Sequence, residues 1–294
     1  MMVTAPTLSI EAARTGRRRT FTNWAMTALL TATMAATIAV LLWVLGYVAA
    51  EGLKYLGPEF LTQTPPGNPA QPGGGFVNGI IGSLIIVGIA TVLSIPIGLA
   101  AAIYFVEYGG RLARYARFVT DVMVGIPTIV TGAFVYAVWV VHFGFSGIAG
   151  GIALALIMLP LIIRSVEEML RLVPNEIREA SLALGVTRAR TIVAVVLPTA
   201  SSGIITGIML AVARAMGETA PLLLTALGND LFTELNPDKR MSTLSLQIFG
   251  NAITGFKAAQ ARAWAGALTL VVLVLLFTLA ARLIARRSTI SQGR

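Results

Sequence analysis

Apolar residues along this chain do not alternate, nor do they keep to one helical face. They come in long runs without a single charged side chain. Such runs are read against a bilayer whose hydrocarbon core of ~30 Å takes about 20 residues of α-helix to cross. Residues 20–50 carry no charge, and 24–48 make the body of a first helix. Residues 76–106 are the second run, with 76–104 as its body. The 42 residues between Asp121 and Arg164 are also uncharged, too many for one crossing and enough for two. Gly144, Gly147, Gly150 and Gly151 supply the turn between those two. A fifth run covers 191–213 and a sixth 263–281. The pattern predicts an all-α integral membrane protein of about six transmembrane helices.

Composition agrees with the pattern. Of 294 residues, 56% are hydrophobic and 12% charged, where a soluble domain carries roughly 25% charged residues. With no cysteine there are no disulfides or thiolate metal sites. A single histidine, His142, removes the common zinc sets and the Ser/His and Cys/His triads. His142 reads as an interfacial residue, and Trp24, Trp43 and Trp264 suit an interfacial belt.

The net charge of +9 is a matter of placement. With the N-terminus inside, sixteen of the 22 basic residues fall in the arm before the first span, in 105–117, in 164–191 and in the C-terminal tail. Five fall in the outer segments, at Lys54, Lys239, Arg240, Lys257 and Arg262, and Arg214 is left over. That asymmetry is what the positive-inside rule produces. It predicts cytoplasmic N- and C-termini of a multi-pass membrane protein, and no nucleic-acid partner. Arg17, Arg18 and Arg19 before the first run match the opening of a secretory signal, but the apolar run is longer than a signal core. The reading is an uncleaved span behind a cytoplasmic arm. The organisation is therefore an arm at 1–23, one membrane domain at 24–286 and a tail at 287–294. Residues 51–75, rich in Pro and Gly, read as an irregular outer loop, and 227–262 as a larger outer segment.

The inner loop 165–191 holds a short helix that stays out of the membrane. Pro174 suits the first helical position and Gly185 a left-handed C-terminal cap. Thr187 suits the cap of the helix that follows. Ile177, Ala180 and Leu184 form one narrow apolar stripe. A helix of about ten residues is barely stable alone, so it needs a surface to lie against.

The residues Glu179-Ala180-Ser181, Gly185 and then Val195, Leu197 and Pro198 resemble the EAA loop of ATP-binding-cassette (ABC) importer permeases at every spacing. Ser181 stands where the family has a third Ala, and Val195 where it has Ile. The resemblance implies a type I (MetI-like) importer permease. It also implies that this helix seats in a separate ATPase subunit and couples its movement to the pore. ATP and magnesium then belong to that partner, and this chain carries no cofactor. The lysines agree, because a Walker A loop needs Gly before Lys. Lys54, Lys239 and Lys257 follow Leu, Asp and Phe.

Substrate chemistry has to come from inside the membrane. Arg214 and Glu218 interrupt the fifth run at i, i+4 and share a helix face. Charges within a bilayer cost at least ~2.5–3.5 kcal/mol on insertion scales, so they face partners or pathways. Pro221 leaves the Gly217 carbonyl without its helical donor and predicts a bend there. The segment Arg-Ala-Met-Gly-Glu-Thr-Ala-Pro-Leu-Leu at 214–223 is similar to the signature of phosphate-specific transport permeases, in the PstA branch. Arg164 and Glu167 before Met169-Leu170, and Val124-Gly-Ile-Pro-Thr-Ile-Val, are similar to that branch as well. The similarity runs from about residue 76 to the C-terminus.

By that resemblance Arg214 is the first candidate for a phosphate pathway, followed by Glu218, Arg164 and Glu167. Coupling to the ATPase falls to Glu179, Ala180, Ser181, Gly185, Leu197 and Pro198. The implied partners are a PstC-type permease, a PstB-type ATPase dimer and an external PstS-type phosphate-binding protein. Two other readings stay open: a permease for sulfate, molybdate or phosphonate, and a scaffold or sensor subunit without a pore. Arg214 and Glu218 also read as a structural pair between packed helices. Asp121, beside Arg111, Arg114 and Arg117, reads as a boundary charge.

Overall fold

The computed structural model describes residues 10–290, and every regular element among them is helical. Residues 1–9 of the N-terminal arm and 291–294 of the tail lie outside the described residues. The chain divides into two units, Met1–Ala50 and Glu51–Arg294. The first is occupied by most of helix α1 (Ile10–Leu53). Its Arg18–Leu53 stretch is apolar and long enough to cross a membrane. Thr20, Thr22, Thr31 and Thr37 each donate the hydroxyl to the carbonyl four residues back. Such back-bonding leaves no hydroxyl proton unpaired in hydrocarbon.

The second unit holds α2 (Pro58–Thr62), α3 (Val77–Tyr108), α4 (Gly110–Gly125), α5 (Thr128–Phe143) and α6 (Gly147–Arg171). These are followed by α7 (Asn175–Ala183), α8 (Arg188–Met216), α9 (Ala220–Leu223), α10 (Leu244–Ala252) and α11 (Lys257–Ile290). Within the spans, α6 is the central one, its apolar window 67% buried against 33% for α3 and less for α8 and α11. It packs along α3 and α8 through Leu154, Met158, Ile162 and Val166, which meet Ile86, Ala90, Ile204 and Ile208. Lipid supplies no hydrophobic drive between helices, so close approach of small residues has to do that work. At Gly98 of α3 a Cβ would lie 2.7 Å from the Ile162 side chain, so only glycine permits this spacing of α3 and α6.

Five helices are long and apolar enough to cross a membrane, and a sixth crossing exists if α4 and α5 together count as one. The third span expected from the uncharged run is thus not straight. Residues 110–125 form their own amphipathic helix, α5 follows at 105°, and the break falls at Ile126 and Pro127. Pro127 has no N–H to continue α4 and biases Ile126 to the extended backbone observed (φ −73°, ψ 127°). The pair still links opposite ends of the bundle. Glu107, before it, is bonded to Arg178 of α7. Ser146 and Gly147, after it, donate their N–H groups to the carbonyls of Thr225 and Lys239. Since α7 and the 225–239 segment flank opposite ends of α8, α4 and α5 must carry the chain across.

The expected irregular loop at 51–75 contains α2, whose Phe60 is buried against Phe76 with ring centroids 5.2 Å apart. Arg262 of α11 is buried beneath this loop and donates to the carbonyls of Pro69, Gln71 and Gly73. One guanidinium therefore supplies the donors that a proline- and glycine-rich segment lacks.

Candidate functional site

At the arginine-rich end, α6 stops at Arg171 and the chain turns through Leu172–Pro174 into α7. Pro174 stands one position earlier than expected, before the first helical residue, with an extended ψ of 143°. The turn out of α6 needs that extended residue. The other end of α7 closes as expected on Gly185 at φ +80°. Gly185 N–H donates to the Leu182 carbonyl and Val186 N–H to the Ser181 carbonyl, the paired bonds of a Schellman motif. Thr187 precedes α8 but makes no side-chain cap; its backbone carbonyl takes the Thr191 N–H at 2.9 Å.

The two faces of α7 differ. Ser181 is buried, and its hydroxyl shares a 2.9 Å hydrogen bond with that of Thr191 on α8. Glu179, Ala180 and the stripe of Ile177 and Leu184 face outwards, Leu184 at 83% exposure. Leu197 and Pro198 lie half-buried further along α8. Pro198 has no N–H for the carbonyl of Ala194, and the chain before it, Ile192–Val196, takes the wider π turn.

Two acids organise this end, Glu107, which sequence reasoning did not single out, and Asp121, which it read as a boundary charge. Glu107, in the π turn Tyr104–Tyr108 that closes α3, is buried against Arg178 at 3.1 Å. Asp121 of α4 accepts from Arg164 of α6 at 2.6 Å, both about half exposed. Glu167 does not share the surroundings of Arg164. It is buried between Arg117, at 2.8 Å, and Arg171, at 2.6 Å. The signal for Glu107 was present in the sequence as the one acid directly closing the second apolar run.

A cavity of about 360 Å³ lies between the α4–α5 break, α6 and the end of α8. Its wall includes Met123, Ile126, Thr128, Phe134, Pro160 and Arg214. It is mostly apolar, and Arg214 is the one charged side chain lining it. Pro160 of α6 cannot donate to the carbonyl of Leu156, and both residues line this wall. At the start of α5 the Pro127 carbonyl takes the N–H groups of Val130 and Thr131, so those of Thr128 and Ile129 are the ones with no acceptor inside the helix. Gly132 lets α5 lie against α9: a Cβ there would sit 2.6 Å from Pro221 Cα.

Arg214 pairs with Glu218 at 3.5 Å, the arginine well exposed and the glutamate mostly buried. The bend expected at Pro221 is instead a full stop. α8 ends at Met216, Glu218 lies outside it, and Pro221 opens the separate helix α9. Ser245 donates to the Glu218 carbonyl at 2.9 Å, which ties this stop to α10. His142 is exposed beside Phe143, away from both sites. Among the described residues no three His, Cys, Asp or Glu side chains gather into a metal-binding group.

Residues 94–290 match the family model of the binding-protein-dependent transport system inner membrane component. The chain is 43% identical over 257 residues to the phosphate transport system permease protein PstA of Yersinia pestis, covering 86% of each. It is 40% identical over 301 residues to PstA 1 of Mycobacterium tuberculosis, covering 95% of this chain and 96% of that one. The fold is similar to that of a bacterial alginate ABC transporter solved with its periplasmic protein, with a TM-score of 0.66 at 14% identity. That match covers 92% of this chain and 97% of the other. It is similar also to the inward-facing MetNI methionine ABC transporter, with a TM-score of 0.59 at 22% identity, over 72% and 95% of the two chains.

Proposed function

Because the chain belongs to the family of binding-protein-dependent transport system inner membrane components, we propose that it is the permease subunit of an importer for inorganic phosphate. It is a transporter subunit and not an enzyme, a multi-pass protein of the bacterial inner membrane. The observation that carries the substrate is the 43% identity to a phosphate permease along 86% of both chains. The pathway chemistry supports it. A phosphate entering an apolar cavity needs compensating positive charge, and a guanidinium presents paired donors that match its oxygens. Arg214 supplies that charge in the cavity wall, and the first turn of α5 is a helix start of the kind that favours anions. Glu218 neutralises Arg214 while the cavity is empty and limits how tightly an anion is held. Arg164, paired with Asp121, is a second station, and Glu167 ties α4 to α6 through Arg117 and Arg171.

ATP is hydrolysed, with magnesium, on a separate PstB-type dimer that receives the outward face of α7. A PstC-type permease completes the pore, and a PstS-type protein delivers phosphate from outside. The arginine-rich end faces the cytoplasm, as do both termini.

Uptake of labelled phosphate by the reconstituted complex tests the reading. Arg214→Gln lowers uptake by roughly a hundredfold, on the scale of losing a charge-assisted bond in a low-dielectric site, while the complex still assembles. Normal uptake by an assembled Arg214→Gln complex refutes the role. Competition by sulfate, molybdate or a phosphonate equal to that by phosphate refutes the substrate.

A further inference from the structure

We propose that the buried pair Glu107–Arg178 is a strut that makes α3 move with α7, so that the whole bundle follows the ATPase. The proposal rests on the coupling role of α7 given above. By chain connection alone, α7 is attached to α6 through Leu172–Pro174 and to α8 through 184–187. A push on α7 would then reach α3 only indirectly. Arg178 changes this. Its Nε lies 3.1 Å from a Glu107 carboxylate oxygen, across 71 positions of sequence. Its Nη2 donates to the Leu170 carbonyl at 2.8 Å, and its Nη1 to that of Val173. One side chain therefore grips the ends of both α3 and α6.

Two further contacts close the joint. Arg188 donates to the backbone carbonyl of Glu107, and its guanidinium lies 5.1 Å from the centre of the Tyr108 ring. Ser181 is bonded to Thr191. The inner ends of α3, α6 and α8 are thus held to one short helix. The side chains of Arg178 and Glu107 are 14% and 6% exposed, so water screens the pair little, and removing one charge strands the other. Glu107 and Arg178 are positioning residues here; neither lies at the cavity.

The test uses the full complex in vesicles loaded with ATP, scoring labelled phosphate taken up per ATP hydrolysed. Glu107→Gln keeps the shape and an acceptor for Arg178, so its ATPase co-purifies, yet uptake per ATP falls roughly tenfold, the scale of one lost coupling between packed elements. Glu107→Asp keeps the charge one methylene short and gives an intermediate ratio. A wild-type ratio in either variant overturns the strut. Failure of both to assemble also counts against it, because the pair would then be a requirement of folding. Leu184→Asp separates this from the underlying reading. It loses the ATPase if α7 is the docking helix, and if it keeps both ATPase and uptake, the coupling role itself falls.

Discussion

Replacing Ser181 by alanine removes one hydroxyl and with it the buried 2.9 Å bond to Thr191. The expected cost is about 1 kcal/mol, read as a lower unfolding temperature of the assembled complex by calorimetry. Ser181 looked like a mild departure from Glu-Ala-Ala, yet in the fold it points inwards and fastens α7 to α8. Other residues show the same division. Arg214 and Glu218, four positions apart, meet as their spacing implies. Arg164 pairs not with Glu167, three positions on, but with Asp121, 43 positions back. A spacing of four positions is local and legible, even though the helix ends at Met216 before it reaches Glu218. A partner on another helix depends on how the two pack, and no local pattern announces it.

At the scale of elements, the glycine cap of α7 was readable and the bend inside the third crossing was not. Gly185 was expected to end α7 and does so at φ +80°. A Cβ there would meet nothing within 4 Å, so Gly185→Ala acts through the backbone alone, at a cost of ~1–2 kcal/mol for the left-handed conformation. The variant should insert and assemble, with phosphate uptake per ATP lowered several-fold as the end of α7 loosens. Pro127 was visible in the sequence, as was the uncharged stretch around it. What hid the 105° turn was that hydropathy averages over it. Residues 110–125 carry arginines on one face and apolar residues on the other, so they form a helix continuous in sequence with the span but not in direction. That break, with Pro160 opposite, makes the cavity wall.

At the scale of the whole molecule, orientation can be measured directly, because the chain has no cysteine. Arg114→Cys and Leu235→Cys, both exposed positions, report on opposite ends of the bundle. A membrane-impermeant thiol reagent should label Leu235→Cys in intact cells and Arg114→Cys only after permeabilisation. The reverse pattern would invert the topology and, with it, the side on which α7 can meet an ATPase. α1 belongs to this scale too. It is long and apolar enough to cross a membrane.

The length and apolarity of the runs determined by themselves that this chain crosses a membrane about six times, because burying a peptide in hydrocarbon demands a helix of a set length. The distribution of arginines predicted which end faces inwards, and motif spacing located α7 and the pair at Arg214. The tertiary structure decided the rest: the bent third crossing, the cavity beside Arg214, Asp121 as the partner of Arg164, and Glu107 as the anchor of Arg178. All but the bend, which Pro127 sets locally, join residues far apart in the chain. Their contact energy exists only once the helices are packed, so it leaves no trace in composition or in local period.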